Sequence, residues 1–163
     1  MTSMVRKLDV ADWEQLRDVR LRALQDAPES FYRSYAEESA YDEARWRDWL
    51  RDGHGLFVAE RGGGPVGMIG GIPAGEDEGD PRAAMMVAMW VDPTARGLGV
   101  AEELTDTLVG WARAEGYPRL VLWVYDENPR AAAFYRRYGF LHTDRTETFG
   151  EDPRKLHFMT LDL

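Results

Sequence analysis

The chain has 163 residues, 44% of them hydrophobic, which is enough for one domain with its own core and no metal or disulfide support. It contains no cysteine, so disulfides, thiolate metal sites and a cysteine nucleophile are excluded. A formal net charge of -9 and a pI near 4.8 disfavour a nucleic-acid-binding surface, and suit either solubility alone or attraction of cationic substrates such as amines.

In chain order, "VADWEQLRDVRLRALQDAP" carries Trp13, Leu16, Val19, Leu21 and Leu24 at roughly helical spacing, and Pro28 closes it. "ESFYRSYAEES" reads as a loop, and "YDEARWRDWLRDGHG" as a second helix with Trp46, Trp49 and Leu50 on one side. "GLFVAE" and "GPVGMIGGI" form two strands around the turn "RGGG". "PAGEDEGDPR" is a polar connection expected to stay out of the core, and "AAMMVAMWV" is a buried strand. A helix from about Arg96 to Glu115 follows, then the buried strand "LVLWVY". "NPRAAAFYRRYG" is a short helix with Pro129 in its first turn, and "FLHTDRTETF" and "KLHFMTLDL" are closing strands. The order predicts a mixed α/β (α+β) domain spanning residues 1–163, built on one sheet with at least one parallel pairing. Nothing at the start has a signal-peptide core, and no apolar run approaches the roughly 20 residues of a membrane helix, so a cytoplasmic protein without membrane contact is expected.

Gly97 and Gly99 stand where the longest helix begins, although glycine inside a helix costs about 1 kcal/mol against alanine. One reading is an anion site. The first helical turn leaves N–H groups free, small residues at Gly97, Gly99 and Ala101 admit a phosphate, and Arg96 adds positive charge. The other reading is a plain turn, or close helix–sheet packing. Neither a Walker loop nor a G-x-G-x-x-G fingerprint fits, because no Gly-Lys-Ser/Thr follows and Glu102 occupies the third glycine position. One strand later come Asn128, ordinarily an N-cap, and Tyr135, ordinarily core, at the same edge of the sheet.

Taken together, Val91-Asp92-Pro93, Arg96-x-x-Gly99-x-Ala101 and Asn128-x-x-Ala131/Ala132-x-Phe134-Tyr135-x-x-x-Gly139-Phe140 resemble the GNAT superfamily of acyl-CoA-dependent N-acyltransferases. Motif-level similarity runs from about Met89 to Phe140, and element order agrees over essentially the whole chain. The resemblance implies a GNAT fold: a curved mixed sheet of about six to seven strands, about four flanking helices, and central parallel strands splayed at the cofactor. It implies acetyl-CoA as cofactor. The backbone of Met89, Trp90 and Val91 would pair with the pantetheine arm, and the amides of Arg96, Gly97, Leu98, Gly99, Val100 and Ala101 would hold the diphosphate. Asn128 would contact the cofactor, and the Tyr135 hydroxyl would protonate the leaving sulfur. No metal is implied.

The implied activity is transfer of acetyl to a primary amine of a small molecule: an amino acid, a polyamine or an amine antibiotic. Alternatives are acetylation of a protein N-terminus or lysine, and a non-catalytic acyl-CoA-binding module. Many family members carry a Glu on the strand before Asn128, where this chain has Trp123, so the general base is open among Asp126, Glu127, His54, His157 and a water chain. Trp123 and Trp90 read either as core or as an apolar wall of the acceptor site. Phe31, Tyr32, Arg33 and Tyr35 lie where family members place acceptor-binding residues, with Arg33 either on a substrate carboxylate or in solvent. A homodimer, if formed, is expected to use the last strands, from about Phe140 to Leu163.

Overall fold

A computed structural model describes residues 3–75 and 80–163. Its elements are β1 (Met4–Lys7), α1 (Trp13–Asp26), α2 (Tyr35–Ser39), α3 (Glu43–Asp48), β2 (Gly55–Arg61), β3 (Gly64–Pro73), β4 (Ala84–Val91), α4 (Val100–Ala114), β5 (Arg119–Tyr125), α5 (Pro129–Tyr138), β6 (Leu141–Glu147) and β7 (Leu156–Asp162). They build a seven-stranded sheet in the order β1-β2-β3-β4-β5-β7-β6. Among the described residues β4 and β5 run parallel, and every other neighbouring pair is antiparallel.

Alternation along the strands divides the core between the two faces of the sheet. Phe57, Ile69, Met86, Leu122 and Met159 pack against Leu104 and Leu108 of α4 and Tyr135 of α5. On the opposite face Leu56, Val58, Met68 and Trp90 pack against Leu16, Val19 and Leu24 of α1 and Trp46 of α3. A smaller cluster of Ala74, Ala83, Val121 and Phe158 covers the far half of that face.

The structure differs from the sequence reading at four places. β1 was not expected: "MVRK" has no apolar run, and pairing with β2, from Met4↔Glu60 to Lys7↔Phe57, is what makes it a strand. The segment read as the loop "ESFYRSYAEES" contains α2, held by a capping box in which Ser34 accepts from the Glu37 N–H while Glu37 accepts from the Ser34 N–H. The connection "PAGEDEGDPR" was expected to stay out of the core, yet Ala74 at its start is buried and its N–H donates to the Ala83 carbonyl at 3.0 Å; residues 76–79 of it lie outside the described residues. Finally, α4 begins at Val100 rather than about Arg96, so Gly97 and Gly99 precede the helix.

α4 lies close to the sheet because two strand residues lack a side chain. A Cβ on Gly71 would stand 2.5 Å from the Trp111 ring and 2.8 Å from Leu108, and one on Gly55 2.6 Å from Trp111. Gly71→Ala is therefore expected to lower stability by about 1–3 kcal/mol through overpacking. A denaturant titration checks this, and Trp111→Leu in the same background should recover part of the loss.

Candidate active site

β4 and β5 pair only at Ala84↔Leu120 and Met85↔Val121. Beyond that β4 stays with β3 as far as Gly67↔Val91, while β5 stays with β7 as far as Tyr125↔Leu156. The edges between them open into a wedge. A bulge increases the divergence. The β3–β4 register jumps between Met68↔Trp90 and Gly70↔Val87, and Ala88 takes φ 61, a left-handed conformation that is rare away from glycine. Its effect is a change of parity. Ala84 and Met86 face α4 before the bulge, Met89 and Val91 pack toward α4 after it, and Trp90 is turned to the α1 side.

The wedge is a cavity of about 660 Å³. One wall is Met86 to Val91 and another Leu122 to Tyr125; one end is formed by Arg96, Gly97, Gly99, Val100 and Ala101, and the other by Glu29, Ser30 and Phe31 from the α1–α2 connection. Gly97 and Gly99 have φ 79 and 84, and a Cβ on either would meet nothing within 4 Å. The glycines thus answer to backbone conformation and open space, not to packing. No side chain caps the first turn of α4, which leaves its N–H groups directed at the cavity end.

The cations at this end are not arranged as the sequence suggested. Arg96 is committed: it donates to the Val91 carbonyl at 3.0 Å and to Asp26 Oδ2 at 2.5 Å. Asp26 also accepts from the Trp90 indole at 2.9 Å, so one carboxylate at the end of α1 ties the bulged strand to the approach of α4. Arg130 and Arg137, which the sequence reading missed, line the cavity and have no ion-pair partner among the described residues. With Phe134 they follow an i, i+4, i+7 spacing, the signal that would have placed them on one face of α5.

Asn128 is the N-cap of α5 and also lines the cavity. Its side-chain oxygen caps α5 by accepting from the Ala131 N–H at 3.3 Å, and its amide donates to Ser30 Oγ at 3.3 Å. Tyr135 is likewise both core and cavity wall: it is buried between Phe134 and Phe140, and burial pushes its hydroxyl pKa well above the usual tyrosine value. It therefore stays protonated at any physiological pH.

Of the residues expected on the substrate side, Phe31 and Trp123 are in the wall, and Tyr32 and Arg33 are not. Phe31 sits under the Arg20 guanidinium at 4.5 Å, and Arg20 is held by a buried bidentate pair with Glu38 at 2.9 and 3.0 Å. Trp123 meets Phe158 at 4.8 Å and Phe149 edge-on at 5.8 Å, and Tyr32 meets Phe149 from the other side at 5.8 Å. Arg33 pairs with Glu37 at 3.6 Å in solvent, which favours the solvent reading. Tyr35 begins α2 and is exposed, and Leu98 is exposed beside the cavity but not in its wall. Trp90 is mostly core, with one edge on the cavity.

Among the described residues, none of the base candidates lies in the wall. His157 contacts Asp126 at 2.8 Å on the α5 side of the sheet, away from Trp123. His54 contacts the Trp49 carbonyl, and burial lowers its pKa. The carboxylates that do line the cavity are Asp26, Glu29 and Glu102, and of these only Glu102 figured in the sequence reading, as a failed glycine position.

A parallel strand pair that opens toward an uncapped, glycine-led helix start defines a domain class that receives an extended, anionic cofactor arm between its strands. The comparisons give the family. The sequence profile of the Acetyltransferase (GNAT) family matches residues 19–140, and the chain belongs to that family. It is 31% identical over 134 residues to an uncharacterized N-acetyltransferase of Methanocaldococcus jannaschii, covering 77% of this chain and 59% of that one. It is 29% identical over 147 residues to the mycothiol acetyltransferase of Cellulomonas flavigena, covering 87% of this chain and 41% of that one. The chain thus spans less than two thirds of the length of these curated relatives. A solved structure of yncA, a putative acetyltransferase of Salmonella typhimurium with acetyl-CoA, has the same fold at TM-score 0.77 and 19% identity, covering 99% of this chain and 94% of that one.

The entrance to α4 is fastened by a further pair, Arg22 to Asp92 at 2.6 Å. Thr94 donates to Asp92 from its hydroxyl and its N–H, and with Arg22 this holds the Asp92 pKa below the usual carboxylate value, against burial. Stability from Asp92 is therefore full above the unfolded-state pKa of about 3.9 and disappears as pH falls through the folded value. Asp92→Asn is expected to cost about 1 kcal/mol at pH 7. Denaturant titrations at descending pH should show the two proteins converging once pH has fallen through the folded Asp92 value.

Proposed function

We propose that this chain is an N-acetyltransferase that moves the acetyl group of acetyl-CoA to the primary amine of a small molecule. The observation that carries this reading is the β4 edge from Met86 to Val91. It has no strand partner toward β5 and leads to the uncapped start of α4. An extended pantetheine arm fits that edge as an added strand, and a diphosphate fits the helix start, where a Cβ on Gly97 or Gly99 would stand in the space it needs. Arg130 and Arg137 supply the charge that Arg96, neutralised by Asp26, does not.

Bound acetyl-CoA supplies an acyl thioester open to attack by a neutral amine. The β4 backbone near Val91 positions the thioester and offers an N–H to its carbonyl oxygen. Asn128 fixes the turn at the start of α5 against Ser30, setting where the arm ends. Tyr135, held neutral by burial, donates its proton to the departing sulfur. Phe31, Trp123 and the neighbouring Tyr32 exclude water from the acceptor side.

A small acceptor is favoured by the aromatic contacts that run from Tyr32 through Phe149 to Trp123, because they wall that side with packed rings. Similarity to mycothiol acetyltransferase points the same way. The setting is cytoplasmic on this reading, and any self-association uses β6, the edge strand with Leu141 exposed.

The test is thiol release from acetyl-CoA against a panel of primary amines, which is expected to show saturable turnover. Tight acetyl-CoA binding with no amine ever converted would instead establish a binding module. Tyr135→Phe should lower kcat by roughly 10²-fold or more with acetyl-CoA affinity nearly unchanged. Gly99→Val should weaken acetyl-CoA binding in calorimetry at least tenfold, because the left-handed conformation and the open space are lost together.

A further inference from the structure

Granting the acetyl transfer proposed above, its general base has no assigned residue. Three carboxylates line the cavity. Asp26 is occupied by Trp90 and Arg96, and Glu102 stands in the first turn of α4 at the phosphate end. Glu29 is on the 3-10 turn Pro28–Ser30 at the acceptor end, and its side chain has no hydrogen bond or ion pair among the described residues.

The turn that carries Glu29 is well fixed. The Arg154 guanidinium donates to the Glu29 carbonyl at 2.7 Å and to the Phe31 carbonyl at 3.2 Å, and Ser30 between them is tied to Asn128. The same guanidinium lies over the Tyr125 ring at 4.0 Å. Tyr125 is 5% exposed and lines the cavity, and its hydroxyl is buried without a hydrogen-bond partner. A buried hydroxyl left unpaired is costly, and a small swing of the Tyr125 ring toward the cavity it lines would let a ligand's polar atom pair it.

We propose that Glu29 takes the proton from the incoming ammonium group and that the Tyr125 hydroxyl accepts a hydrogen bond from the same nitrogen, the two forming the acceptor subsite. Arg154 sets their separation through one contact to each, and Asp152 at 2.8 Å neutralises it, so that it does not repel a cationic substrate. Other charged and titratable groups on the elements packed around the turn include Asp26 with Arg96, Arg20 with Glu38 beside Phe31, Glu127 and Arg130 at the start of α5, and Tyr32.

The proton balance closes without another reagent. Glu29 takes one proton from R–NH3+ and passes it to water, and the freed lone pair forms the C–N bond. The C–S bond breaks with its electrons on sulfur. Tyr135 protonates that sulfur and is restored by the proton nitrogen loses on becoming an amide.

The test compares the wild type with Glu29→Gln, Glu29→Asp and Tyr125→Phe, using 2-phenylethylamine, protonated at neutral pH, and hydroxylamine, which is not. With 2-phenylethylamine the wild type should give kcat/KM nearly flat from about pH 6.5 to 8.5, because the enzyme itself removes the ammonium proton. Glu29→Gln should lose roughly 10²-fold at pH 7 and climb about tenfold per pH unit, because only free amine then reacts. Hydroxylamine turnover should change less than about threefold, and Glu29→Asp should restore the flat profile.

Calorimetry without acetyl-CoA gives a second readout. Glu29→Gln and Tyr125→Phe should each weaken 2-phenylethylamine binding about tenfold while acetyl-CoA binding is unchanged. An unaltered pH profile in Glu29→Gln, or equal losses with both amines, overturns the assignment while leaving the acetyltransferase reading intact. A wild type that acetylates no amine at all overturns both.

Discussion

The constraint on which the rest depends is the early parting of β4 and β5. Parallel strands normally continue side by side, and here they separate after Met85 because each is held along its outer edge. β5 pairs with β7 from Arg119↔Asp162 to Tyr125↔Leu156, and β4 follows β3 through the bulge at Ala88. The exposed β4 edge forgoes backbone hydrogen bonds worth about 1 kcal/mol each. That loss is tolerable only in a place that water or an added strand can reach. The cavity is therefore not a packing defect but a sheet with one strand's width left open, floored by Tyr135, Leu122 and Met86 of the α4–α5 core.

Charge is partitioned around that opening. The chain carries net charge -9, so few cations are available to hold phosphate. Arg96 and Arg22 are spent on Asp26 and Asp92, where they fasten α1 to the bulged strand and the α4 approach. On the function proposed here the helix-start amides would act as the anion site, with Arg130 and Arg137 on α5 as countercharges. At the other end Arg154 is matched by Asp152 and by backbone carbonyls, while the Glu29 carboxylate and the Tyr125 hydroxyl have no partner among the described residues.

The half of the site built on regular elements was legible in the sequence. Buried strands, the glycines before α4 and the Asn128–Tyr135 spacing are local patterns, and local patterns survive folding. What escaped was non-local. β1 exists only through pairing with β2, and the Ala88 bulge follows from register against β3, so neither leaves a mark on its own residues. Arg96 read as a free cation because its partner Asp26 is 70 residues away. Glu29 and Tyr125 gave no signal, since a lone glutamate in a turn and a tyrosine at a strand end are ordinary until Arg154 brings them together. The capping box Ser34–Glu37 is a different case: it was readable, and it marks a helix only five residues long.

The two halves of the site also rest on different supports. The proposed cofactor cleft rests on β4, α4 and α5, whose core side chains are mostly apolar and buried. The acceptor wall draws on connections: the turn at Glu29, the segment holding Phe149 and Arg154, and Phe31 pinned beneath Arg20. That pin depends on the buried Arg20–Glu38 pair, which unites α1 and α2 with both charges out of solvent. Replacing the pair with apolar residues need not harm the fold, whereas breaking one partner leaves a buried charge. Its damage would fall first on Phe31 and the turn beside it, and only later on the strands. Loops anchored by a few polar clamps can be rebuilt while the opened sheet beneath stays unchanged, so on the function proposed here the acceptor could vary without disturbing the donor cleft.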